Sequence, residues 1–183
     1  MNYYGAKDVA ASFRTVRNNT IKIAEEIPED KYGFRAAEGT RTIAQTLIHI
    51  SNLHKFMFAI HRDTVLSTLE GFNFMALMGP IAASEQESMT KAQIVDRLRA
   101  AADEYEGWLK GLSDDFLGQV VTMPPGGSPP SRTRFDMVIS VKEHEMHHRG
   151  QLMLLERLIG ITPHMTRDQQ ARMAAMQAAQ QKA

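Results

Sequence analysis

Four stretches of this chain repeat apolar residues at intervals of three and four, a period that calls for helices with one buried stripe each. In the first, Val9, Phe13, Val16, Thr20, Ile23 and Ile27 share a face, and Pro28 with the polar residues behind it ends the run. The second opens at Thr42 with Gln45 three residues on. That spacing lets each side chain reach the other's backbone amide, a capping box. Ile43, Leu47, Ile50 and Met57 mark its stripe, which should run to His61 or Thr64. The third begins with a second capping box at Thr90 and Gln93 and carries Ile94, Leu98, Ala101, Tyr105, Trp108 and Leu112. The fourth spans about Thr133 to Ile159, with Phe135, Val138, Val141, His148, Leu152, Leu155 and Ile159 on one face. Gly160 and Pro163 follow as stop signals.

Helices of this length bury their stripes most simply against one another, so the expected fold class is all-α, a four-helix bundle with irregular connections. Gly71, Gly79 and Pro80 interrupt Leu66 to Met89, yet Phe72, Phe74, Met75 and Met78 make it apolar. It should be irregular and fold over something. Gln119 to Met123 could form a short strand, and four prolines and two glycines between Pro124 and Pro130 make a rigid, non-helical lip. The bundle should occupy residues 1–164. Residues 165–183, rich in Gln, Ala and Met, read as a loosely attached tail or a partner contact.

With 183 residues the chain is long enough for one domain with a real core. Lys plus Arg equals Asp plus Glu at 21 each, which argues against nucleic acid or an anionic membrane as partner. There are no cysteines, so disulfides and thiolate metal sites are excluded. Lys7 and Asp8 stand where a signal peptide needs an apolar run, and no stretch approaches the roughly 18 apolar residues of a membrane span. A cytoplasmic location is expected.

The chemistry concentrates in KEHEMHHRGQL, Lys142 to Leu152. His144 and His148 are four apart, which on a helix stacks their Cβ atoms roughly 5–6 Å from each other. Two imidazoles so placed can converge on one ion at about 2.0–2.1 Å from each nitrogen. His148 lies on the line of Val141, Leu152 and Leu155, and His144 lies beside it, so the pair faces the bundle. His147 points more to the side. The competing reading is two hydrogen-bonded histidines at the core margin, but burying two imidazoles without partners is costly. A metal needs a third ligand. His49, His54 and His61 of the second helix and, more distantly, His164 are the candidates, and periodicity does not choose among them. His144, Glu145 and His148 also satisfy H-E-x-x-H, the zinc-protease pattern in which the glutamate is general base. The extended pattern needs a glycine and a third histidine downstream, where this chain has Gln151 and Leu154. Glu145 is better read as a surface ion pair with Arg149.

The run HEMHHRGQL, with RTIAQTLIHI some 95 residues before it, resembles the DinB superfamily of DinB/YfiT-like metalloenzymes. The resemblance extends from about Lys7 to Pro163 and includes the YGFRAAEGTRT loop and the LIGITP exit. It implies a four-helix bundle, often a homodimer, with a divalent metal on three histidines. Residue by residue, the ligands match His49, His144 and His148. Arg149, Gly150 and Gln151 match the family pattern, with Gly150 permitting close helix approach and Gln151 bonding near the site. The family includes enzymes that transfer low-molecular-weight thiols to electrophiles or isomerise small acids. The resemblance thus implies a metal-dependent small-molecule enzyme, most simply a thiol S-transferase with a low-molecular-weight thiol as cofactor. A metal-dependent hydrolase and a non-catalytic stress protein that binds metal or ligand are the alternatives. Histidine ligands leave zinc, nickel, iron, copper and manganese open. The apolar 66–89 segment and the proline-rich lip would border the pocket. Glu143, Glu145, His54 and His147 are the candidates for general base, with none singled out.

Overall fold

The computed structural model describes residues 4–181. Four long helices form the bundle: α1 (Ala6–Glu26), α2 (Ile43–Phe58), α4 (Lys91–Lys110) and α6 (Arg134–Leu158). Both capping boxes form as the sequence implies: Thr42 accepts from the amide of Gln45, and Thr90 from that of Gln93. α1 and α2 each pack against α4 and α6, so the order around the bundle is α1–α4–α2–α6. α1 and α2 are therefore diagonal to each other, as are α4 and α6, while α2 and α4 are neighbours, and the loop between α1 and α2 must cross the bundle's end.

The core has two lobes. Val9, Phe13, Met57, Tyr105 and Val138 belong to one, and Ile23, Leu47, Ile94, Leu98 and Leu152 to the other. Between them lies a charge. The Arg17 guanidinium, on α1, is fully buried and donates from Nε to both carboxylate oxygens of Glu145 on α6, at 2.9 and 3.0 Å. Its Nη1 donates to the Leu98 carbonyl of α4 at 3.1 Å and its Nη2 to the Ile50 carbonyl of α2 at 3.2 Å. One side chain thus links all four long helices. Glu145 is no surface partner of Arg149; it is fully buried.

The connections are more ordered than expected. α2 ends in a π-helical turn over Ala59–Asp63. Residues 66–89 contain a further helix, α3 (Phe74–Ser84), where an irregular segment was expected. Asn73 caps it by accepting from the amide of Ala76 at 3.0 Å, and Pro80 sits inside it. The missing amide of Pro80 costs one bond, a loss that a short surface helix tolerates. After α4 come a single turn, α5 (Asp114–Gly118), and the expected strand, β1 (Val120–Thr122). β1 pairs antiparallel with β2 (Ser131–Thr133), with Val121 opposite Arg132, so the proline-rich lip is the loop of a two-stranded ribbon. Residues His164–Gln180 form α7. Only His164 of that helix is buried, and beyond Asp168 every residue is exposed through Gln181. Among the described residues no helix is long and apolar enough to cross a membrane.

Candidate metal centre

α2 brings His49 and α6 brings His144 and His148 to one point near the middle of the α2–α6 seam. The Nε2 atoms of His49 and His144 are 3.2 Å apart, and those of His144 and His148 are 2.8 Å apart. All three ligand atoms lie within 4.8 Å of one another. Two nitrogens held 2.0–2.1 Å from a tetrahedral ion are about 3.3 Å apart, so the spacing suits a shared cation. His49 and His148 are buried, and His144 is exposed. Among the described residues this is the group of three or more metal-competent side chains that converges.

The far nitrogens explain why the near ones face inward. His49 Nδ1 lies 2.7 Å from Glu85 Oε1. Burial raises the Glu85 pKa, but the hydrogen bonds from Arg41 and His49 outweigh it and hold the carboxyl below its ordinary value. Glu85 is thus an acceptor to which His49 Nδ1 donates, and in the neutral tautomer of that ring Nε2 keeps its lone pair. His148 Nδ1 likewise donates to Gln151 Oε1 at 2.8 Å, while Gln151 Nε2 donates to His147 Nε2 at 3.1 Å. Burial, reinforced by the neighbouring histidines, pushes His148 down to about 4, so its ring is neutral at pH 7. Burial lowers His144 as well, with His49, His147 and Arg41 adding to it. Two bare lone pairs therefore point at one His144 nitrogen, which has at most one proton to offer. A cation satisfies all three at once. Outer partners of this kind are what fix the orientation of metal-ligating imidazoles.

The other histidines take separate partners. His54 is buried, edge-on to Phe58, with Nε2 3.5 Å from a Glu104 oxygen. His61 Nδ1 accepts from Arg134 Nη1 at 2.7 Å. Burial lowers both to about 4. His164 Nε2 is 3.1 Å from Asn19 Oδ1 at the start of α7. Of the residues weighed as general base, Glu145 is consumed by Arg17, while Glu143 and His147 are exposed. Gly150 does not serve close packing within the chain: a Cβ there meets nothing within 4 Å, because the position faces outward. Gln151 does bond at the site, as expected.

The trio stands between two cavities. The first, about 330 Å³, is lined by His49 and His144 at one end. Its walls come from α2 (Leu53, Phe56 and Met57), α3 (Met78 and Ile81) and α6 (Met137 and Val141). Met123, just after β1, also lines it. The second, about 910 Å³ and wider, includes His148 and is polar, with Arg35, Arg41, Thr40, Gln45 and His147 among its lining. The 66–89 segment borders the apolar cavity as expected, although it does so as a helix; the proline-rich lip does not, since Met123 and Arg132 on either side of it line the cavity and no residue of 124–130 does.

With that geometry in view, the kinship can be stated. The profile of the DinB superfamily matches residues 12–152. The chain belongs to the DinB superfamily. The uncharacterized YjoA protein of Bacillus subtilis (strain 168) is 21% identical over 158 residues, which is 86% of this chain and 92% of YjoA. Among solved structures, YfiT from Bacillus subtilis, described as a probable metal-dependent hydrolase with an unusual four-helix bundle topology, superposes with a TM-score of 0.64. It is 12% identical, over 88% of this chain and 91% of YfiT. A conserved protein from Enterococcus faecalis gives a TM-score of 0.63 at 13% identity, over 86% of this chain and 98% of that one. The match of the four-helix core to these two neighbours is a likeness of fold.

Proposed function

We propose that this DinB-superfamily chain is a metal-dependent enzyme acting on small molecules, with His49, His144 and His148 as its ligands for a divalent cation. The observation that carries the reading is the pair of imidazoles, on His49 and His148, whose outer nitrogens are spoken for and whose inner lone pairs meet at a third. Neutral three-histidine sites with room for a guest are the catalytic kind rather than the closed structural kind. Bound there, a divalent cation supplies Lewis acidity and lowers the pKa of a thiol or water brought to it.

The residues supply the rest. Glu85 and Gln151 hold two rings in the tautomer that leaves Nε2 free. The apolar cavity excludes water from one side of the trio, and the polar cleft with Arg35 and Arg41 offers hydrogen bonds and positive charge on the other. Two chambers of opposite character on one centre fit a two-substrate reaction. The leading form is transfer of a low-molecular-weight thiol, seated in the polar cleft, to an electrophile seated in the apolar one. The thiol sulfur forms the new bond, the electrophile's leaving group departs, and the thiol proton passes to solvent. A second form, hydrolysis, is favoured by the description of YfiT.

The test is metal content and turnover together. Purified protein should hold about one divalent ion per chain, and His148→Ala should hold far less. Thiol-dependent loss of an electrophile such as 1-chloro-2,4-dinitrobenzene supports transfer, and thiol-independent cleavage of a nitrophenyl ester supports hydrolysis. Equal stoichiometric metal in both proteins would overturn the site.

A further inference from the structure

The apolar cavity carries more information than its position. Apart from the two imidazoles at its end, three polar side chains reach it, and each is already engaged. Asn52 spends its amide on the Ile48 carbonyl and the Ser84 hydroxyl, at 3.1 and 3.0 Å, and its oxygen on Arg97 at 2.9 Å. Ser140 gives its hydroxyl proton to the Met137 carbonyl at 2.6 Å. Arg132 places Nε on the Asp136 carboxylate at 2.6 Å and Nη2 on the Asp136 backbone carbonyl at 3.1 Å, so its charge is matched although N–H donors remain to spare. Away from the Arg132 edge little hydrogen-bonding capacity is left for the body of a guest, and sugars, amides and polyols lying along the apolar walls would lose their water without recompense. The walls are also soft. Met57, Met78, Met123 and Met137 all face the space, and thioether chains re-pack around differing shapes at low cost. Two of the four walls can give: Met78 is partly exposed on α3, a short helix with Pro80 inside it, and Met123 lies in the connection between β1 and the lip.

We infer that this cavity takes the hydrocarbon part of the substrate, an alkyl chain or single aryl ring without hydrogen-bonding groups, joined to one polar reactive end that reaches His49 and His144. The inference rests on the reading of the trio as the reactive centre. It predicts a substrate class defined by apolar bulk rather than by one shape. The rigid walls are Leu53 on α2 and Val141 on α6, and the methionines adjust between them.

Because His148 does not line this cavity, the chamber can be tested apart from the metal. The probes are 1-butanol, 1-hexanol and 1-octanol, with sorbitol as a six-carbon polar control, titrated calorimetrically into chelator-treated protein. Affinity should rise about four-fold per added methylene until the cavity is full, then level off. The same rise should persist in His148→Ala, where the metal reading is disabled, and sorbitol should give no heat of binding. Met78→Glu, on a surface helix where folding is not at stake, should cut 1-hexanol affinity ten-fold or more while metal content stays that of the parent. A chain-length series that is flat, sorbitol binding as well as hexanol, or an unchanged series in Met78→Glu would each overturn the assignment. A normal series beside equal metal in parent and His148→Ala would instead remove the metal reading and leave the cavity's guest standing.

Discussion

Arg17 and Glu145 decide more than any other pair of side chains. The guanidinium reaches the carbonyl next to His49 and the carboxylate next to His144, so it sets the register of the two helices that carry the trio. Removing one partner leaves a buried charge. Arg17→Met should therefore cost about 3–5 kcal/mol in urea unfolding, whereas the double change Arg17→Met/Glu145→Met should recover most of that loss. If the double variant were no better than the single, the ion pair would not be the source of the cost. Glu85 and Gln151 act on the rings instead. Glu85→Ala and Gln151→Ala should each weaken metal binding about 10–100-fold in a chelator competition, with a much smaller change in stability. At this scale the histidine pair was legible, because spacing of four on an apolar face is a strong local signal. The Arg17–Glu145 link was also written in the chain, though easily missed: Arg17 falls between Phe13, Thr20 and Ala24, and Glu145 between Val141 and His148, each on its helix's buried line. Two opposite charges on two apolar stripes are a better sign of burial than a nearby Arg149 is of a surface pair. Glu85 left no such sign, since it lies 36 residues from His49 in a segment without periodicity.

The four long helices were readable because each combines a clean stripe with a cap, and the stripes close on one another. α3 was not, since Gly79 and Pro80 argue against a helix and its apolar residues are spread around it rather than on one face. What makes it helical is the Asn73 cap and its seat over α2, a tertiary effect that overrides propensity. An element held this way should open early. In native-state hydrogen exchange, amides of α3 should exchange well before the central amides of α2 and α6, and 1-octanol should slow α3 selectively. Equal protection of α3 and α6 would contradict this. α7 has its attachments in its first turn, where His164 meets Asn19 and Arg167 meets Glu26 at 2.8 Å. Ending the chain after Asp168 should therefore change the unfolding free energy by less than about 1 kcal/mol, since exposed residues rarely contribute more.

Taken whole, the molecule has charge chemistry of two signs buried in one fold, and its stability should follow pH accordingly. His54 and His61 are lowered from 6.5 to about 4 by burial, with the positive charges of Arg17 and Arg134 respectively adding to it. They stay neutral when folded and gain protons when unfolded, so stability is full above pH 6.5 and falls as pH drops from 6.5 to 4. Each contributes at most about 3 kcal/mol. Glu156 has the opposite sense. Neither of its buried oxygens has a hydrogen-bond partner. Burial, with Glu26 adding to it and Arg167 and Arg157 opposing, raises it from 4.5 to about 7. Its penalty is absent below pH 4.5 and grows as pH rises to 7, again by at most about 3 kcal/mol. Two histidines outweigh one glutamate, so urea midpoints measured with chelator present should rise from pH 4.5 to 6.5. Glu156→Gln should steepen that rise and gain stability at pH 7.5; a parent curve that falls over this range would refute the balance.

The ring order α1–α4–α2–α6 also sets a schedule. One imidazole comes from the first third of the chain and two from its last quarter, and they become neighbours only once α6 has slotted between α1 and α2. A nascent chain that has emerged as far as the lip owns a single histidine of the three and no cup to hold an ion. On the proposed site, capture of a cation would coincide with the docking of α6, so a cell's free metal would reward finished molecules and leave half-made ones untouched.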